Sequence, residues 1–138
     1  MYYVYDENNS IKIPAPFGRA ITPIFMGDDD VITETNFSIH MTEWDPGCTI
    51  DEHLHDSAME AMYCMSGSGI ARVNGEDHPF TPHTMIVAPP GITHKITNTG
   101  TEKLRVLCVF SPPTTGAALR SRAIAAVEEA EKAKEENK

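Results

Sequence analysis

His53 and His55 stand two apart in the run Gly47-Cys48-Thr49-Ile50-Asp51-Glu52-His53-Leu54-His55. In an extended chain, residues i and i+2 point to the same face, so the two imidazoles can converge on one point. Glu60 follows after a short turn and opens the next apolar run, from which its carboxylate can fold back towards them. A second stretch, Pro89-Pro90-Gly91-Ile92-Thr93-His94, is a rigid turn that delivers His94 at the start of a strand. Three imidazoles and one carboxylate are good ligands for Fe, Mn, Co, Ni, Cu or Zn. The three cysteines, Cys48, Cys64 and Cys108, are far apart and form no Cys-x-x-Cys pair. Cys64 and Cys108 read as small buried hydrophobes, and the odd count fits a reducing compartment.

The elements that must position these residues are short strands. Phe37, Ile39 and Met41 alternate with Ser38, His40 and Thr42, a period of two. Ala61–Met65 is an apolar run ended by Ser66-Gly67-Ser68-Gly69. Ile70–Val73 meets Asn74-Gly75, a two-residue hairpin signal. Met85–Ala88 closes at Pro89, and His94–Asn98 and Leu104–Phe110 flank the turn at Thr99-Gly100-Thr101. Such spacing indicates an all-β sandwich or barrel over 35–113. Residues 1–34 read as an extended, turn-rich segment with Pro14, Pro16 and Pro23. Residues 114–138 read as a helix capped by Thr114 or Thr115, with Leu119, Ala123, Val127 and Ala130 on one stripe. That stripe is either a frayed, solvated helix face or a dimer contact.

At 138 residues the chain is one domain with room for a core. Its formal charge of -9 disfavours phosphate backbones and hence nucleic acid. Part of that charge, Asp28-Asp29-Asp30 and the Glu-rich tail, reads as solvated. No apolar run is long enough to span a bilayer, and the first residues do not form a signal peptide. The expected location is the cytoplasm.

The first stretch resembles the cupin motif G-x5-H-x-H-x3,4-E-x6-G at Gly47, His53, His55, Glu60 and Gly67. The second resembles the other cupin motif, G-x5-P-x-G-x2-H-x3-N, at Pro89, Gly91, His94 and Asn98. It departs at the leading glycine, where His83 stands; histidine is among the side chains that tolerate left-handed turn geometry. The resemblance covers residues 35–112. It implies an antiparallel jelly-roll barrel holding one divalent ion on His53, His55, Glu60 and His94. Four protein ligands leave open positions, which suits catalysis. A keto acid, hydroxy acid or phenol-like substrate could chelate there, with the ion as Lewis acid or, for a redox metal, beside dioxygen. The reading is therefore an oxygenase or a lyase/isomerase, with a non-catalytic metal- or small-molecule-binding module as the alternative. Glu60 is also the candidate proton acceptor.

Strand parity places Met62, Cys64, Ile96, Cys108 and Phe110 as pocket walls. Tyr63 points the other way and reads as core or interface packing. Some cupin lyases of dimethylsulfoniopropionate use a tyrosine two residues after the glutamate, where Met62 stands here. His40 and His78 read as surface or satisfied neighbours. The resemblance also implies a homodimer, through an outer sheet face or a swap of residues 1–30.

Overall fold

The alternating run around His40 forms a central strand on which the barrel is built. The structure, a computed structural model, describes residues 1–29, 31–32 and 34–138. Its strands are β1 (Ile11–Ile13), β2 (Arg19–Phe25), β3 (Ser38–Trp44), β4 (Met59–Ser66), β5 (Gly69–Val73), β6 (Glu76–Phe80), β7 (Met85–Ala88), β8 (His94–Asn98) and β9 (Leu104–Ser111), followed by helix α1 (Gly116–Glu136). One sheet has the order β1-β2-β3-β9-β4-β7 and the other β6-β5-β8, all pairs antiparallel. The fold is thus an all-β antiparallel barrel with one C-terminal helix.

The two sheets close on a shared apolar core. Trp44, Met62, Cys64, Leu104, Val106 and Cys108 of the large sheet meet Ala71, Phe80 and Ile96 of the small one. The β4 burial pattern alternates strictly from Glu60 to Cys64, as period two demands. The turn chemistry follows the sequence. Asn74 and Gly75 take φ of 51° and 80°, the left-handed pair that a tight hairpin needs. His83, standing where the motif has glycine, holds φ of 72°.

Within the extended N-terminal segment, β1 and β2 join the large sheet, with Ile21 opposite Thr42 and Ala20 opposite Glu43. The C-terminal helix departs from expectation. Helix α1 neither frays into solvent nor waits for a partner. Its buried Leu119, Ala123 and Ala130 pack on Ile13, Ile21 and Met26 of the same chain. Thr115 caps it by accepting from the Ala118 amide. Asp28 is not merely solvated: its carboxylate accepts from the Gly116 and Ala117 amides at 2.7 and 3.2 Å. Asp29 accepts from Tyr3 Oη, and Asp30 lies outside the described residues.

Candidate metal centre

Two segments distant in sequence are tied together at the mouth of the barrel. The His53 amide donates to the His94 carbonyl at 3.1 Å, and the His94 amide returns a bond to the His53 carbonyl at 2.8 Å. This pair fixes both imidazoles over the same spot, with ring centroids 4.3 Å apart. Glu60 enters from the second residue of β4, opposite Phe110 and Ala88. One ligand atom from each of His53, His55, Glu60 and His94 lies within 4.8 Å of every other.

The donor set suits a metal. His53 Nδ1 is 3.0 Å from the Asp51 carbonyl and His94 Nδ1 is 3.2 Å from the Ile92 carbonyl. A carbonyl only accepts, so each Nδ1 carries the hydrogen; that leaves His53 Nε2 its lone pair, whereas His94 Nε2 faces the acceptor-only Glu60 carboxylate and must give up its hydrogen before it can hold an ion. His55 Nε2 and His94 Nε2 lie 2.9 and 3.0 Å from the same Glu60 oxygen. Burial works against the Glu60 charge, yet the hydrogen bonds from His55 and His94 hold its carboxyl well below the usual range. Burial pushes His53 down. For His94 burial acts in the same sense, but the bond to Glu60 outweighs it and the net shift is upward.

The site opens on a cavity of about 240 Å³. Its walls include Ile13, Phe17, Arg19, Ile21, His40, Ile50 and Phe110, together with Leu119, Arg122, Ala126 and Glu129 of α1. Of the walls expected from parity, Phe110 lines this cavity. Met62, Cys64, Ile96 and Cys108 lie deeper, in the core between the sheets. They share the face of Glu60, His94 and Phe110 but sit further along their strands, where the sheets converge. Tyr63 is half-buried on the opposite face, with its hydroxyl 2.8 Å from His83 Nδ1.

Sequence reading missed His40. It is 2% exposed, stacked on Phe110, and its Nδ1 has no partner among the described residues. Burial lowers its pKa to about 4, so it is neutral at physiological pH. With Glu60 and Cys108 it forms a second group of donor atoms within 4.8 Å. Its inward parity with Thr42 and Trp44 was the only available signal, and parity alone cannot tell a wall from a core. His78 is exposed, near Glu76 at 3.8 Å.

Residues 40–110 match the family model described as Cupin domain. The L-ectoine synthase of Vibrio atlanticus (strain LGP32) is 34% identical over 102 residues, 70% of this chain and 72% of that protein. The L-ectoine synthase of Vibrio campbellii is 35% identical over 83 residues, 59% of this chain and 63% of that protein, so the match spans less than two thirds of that relative's length. Among solved structures, a predicted oxalate decarboxylase from Thermotoga maritima superposes with a TM-score of 0.70 at 22% identity, covering 80% of this chain and 98% of that one. KdgF from Halomonas sp. superposes at 0.68 with 18% identity, covering 81% and 94%. At such identities these structures speak to fold alone.

Proposed function

This chain belongs to the cupin family, and from that premise we propose that it is a metal-dependent enzyme acting on a small oxygenated organic substrate. The observation that carries this reading is the placement of His53, His55, Glu60 and His94 within 4.8 Å of one another, with His53, His55 and Glu60 on the wall of a cavity of about 240 Å³. A divalent ion held there would supply Lewis acidity to a substrate oxygen. The protein's part is to hold and exclude. The carbonyls of Asp51 and Ile92 orient two imidazoles, and the ionised Glu60 provides the anionic ligand. Ile13, Phe17, Ile21 and Leu119 give the cavity an apolar wall that keeps water from the reacting atoms. The curated relatives are named as synthases, which favours an enzyme over a binding module.

Elemental analysis of protein purified without added metal, beside a His53→Ala/His55→Ala variant, tests the ligand set. Stoichiometric metal retained by the variant sinks it. A panel of keto acids, hydroxy acids, phenols and L-ectoine then sorts the chemistry. Dioxygen uptake with bound iron selects an oxygenase. Anaerobic turnover with Mn, Ni or Zn selects a lyase or isomerase. Binding without conversion selects the non-catalytic module.

The same reading includes a homodimer. Met59, Met65, Met85 and Val87 are 44–56% exposed on the outer face of β4 and β7, an apolar patch of the kind that partners cover. A monomer by light scattering at micromolar concentration refutes the pairing. Among the described residues, no helix is long and apolar enough to cross a membrane.

A further inference from the structure

Three buried side-chain polar atoms lack a hydrogen-bond partner among the described residues: Arg19 Nε, His40 Nδ1 and Trp44 Nε1. Buried polar groups are nearly always paired, and each orphan is costly. These three are not scattered. Arg19 and Trp44 face each other across β2 and β3, and His40 lies on the same β3. Arg19 and His40 both line the cavity that holds the metal centre. These orphan atoms are themselves closed to solvent, so what a ligand in the cavity meets is the terminal N–H pair of Arg19, which has no hydrogen-bond partner among the described residues.

The arginines sharpen what that ligand is. Arg72 is paired with Asp77 and Arg105 with Glu43. Arg19 and Arg122 have no such carboxylate among the described residues. They lie instead over aromatic rings, Arg19 at 5.0 Å from the Trp44 centroid and Arg122 at 5.5 Å from that of Phe110. Stacking uses the face of a guanidinium and leaves its in-plane N–H fork free, the geometry that grips a carboxylate. The charge agrees. The chain carries -9 overall, yet two guanidiniums converge on this one cavity. Asp51 and Glu129, which also line it, are exposed at its rim. With a divalent ion on Glu60, the lining is net positive.

Resting on the metal-site reading above, we propose that Arg19, His40 and Arg122 form an anion-binding wall, so that the substrate is a small organic carboxylate. Its carboxylate is held by the guanidiniums and its other polar end by the metal centre. Arg122 comes from α1, so the helix completes the substrate site instead of merely covering the sheet. A neutral phenol or a polyhydroxylated sugar leaves both guanidiniums unmet and is a poor fit.

The test uses the full chain, metal-loaded and chelator-stripped, titrated with pyruvate, 2-oxoglutarate and benzoate, their methyl esters, and inorganic phosphate. Trp44 is the single tryptophan and lies under Arg19, so its fluorescence reports on the wall. At least one carboxylate is expected to bind saturably, with its ester about tenfold weaker. Arg19→Gln and Arg122→Gln are each expected to weaken binding about tenfold, the equivalent of one charge-assisted hydrogen bond. Both variants keep their metal. Arg122 is exposed on α1, so Arg122→Gln carries the test even where Arg19→Gln folds poorly. Carboxylate binding untouched by both substitutions, esters binding as tightly as acids, phosphate binding tighter than every carboxylate, or no saturable response to any of the three acids each overturns the proposal. Metal content is measured on the same samples. Arginine-dependent binding in a protein that takes up no metal supports the wall while the metal reading falls. Stoichiometric metal with arginine-independent binding does the reverse.

Discussion

His53 and His94 exchange both backbone hydrogen bonds, at 3.1 and 2.8 Å, as an isolated bridge between the segment before β4 and the start of β8. The ligand side chains therefore hang from a backbone frame that does not depend on them. His53→Ala is expected to lose stoichiometric metal yet keep the wild-type circular dichroism spectrum. The melting temperature of the wild type should fall on chelation, because an ion that binds only the native state stabilises it. That of His53→Ala should not respond to chelator. Collapse of the fold in His53→Ala would show that the imidazole, not the bridge, holds the mouth together.

Asp28 gives α1 a pH-dependent anchor. The bond from the Gly116 amide, opposed by slight desolvation and helped by the Ala117 amide, holds its carboxyl below the ordinary 3.8. A folded pKa below the unfolded one means the contribution is complete above the unfolded value and lost as pH falls through the folded one. Protonation in that acidic window should loosen the first turn of α1. Amide exchange at Gly116 and Ala117 should rise several-fold in Asp28→Asn at neutral pH, and the variant should show little further change on acidification. Wild-type protection in the variant would remove Asp28 as the anchor. The group is exposed, so the effect on global stability is small.

Asn98 ties the closed end of the barrel. Its Nδ2 donates to the carbonyls of Trp44 and Glu102, and its Oδ1 accepts from the Gly100 amide. It is fully buried. Asn98→Ala strands these backbone groups and should cost roughly 2 kcal/mol or more. Urea denaturation reads the cost; an unchanged midpoint contradicts it.

Gly67 admits no side chain. Its φ is +87°, and a Cβ there would lie 2.6 Å from the Lys103 carbonyl oxygen and 2.8 Å from Leu104 Cα. Both atoms are backbone, so nothing can swing aside. Gly67→Ala should destabilise by more than about 1 kcal/mol, whereas Gly75→Ala meets open space and is penalised only through its φ of +80°. Equal losses in the two variants would contradict the steric account.

The sequence by itself determined most strands of the stretch 38–111, their faces and the four convergent ligand candidates, but not β1 and β2. Period two requires Glu60, Met62 and Cys64 to share a face, and the Asn74-Gly75 and Pro89–Gly91 turns end strands wherever the chain is placed. Parity repeats identically along a strand, so it carries no depth. From Glu60 to Cys64 the chain advances roughly 13 Å, enough to pass from the mouth to the sealed core. Which end is open depends on where β5, β6 and β8 close against the large sheet. For the same reason His40 stayed hidden. Its neighbours Glu60, Cys108 and Phe110 reach it only through the β3–β9–β4 pairing. The alanine stripe of α1 fits any apolar surface; the tertiary structure assigned it to Ile13 and Ile21, and so brought Arg122 to the cavity.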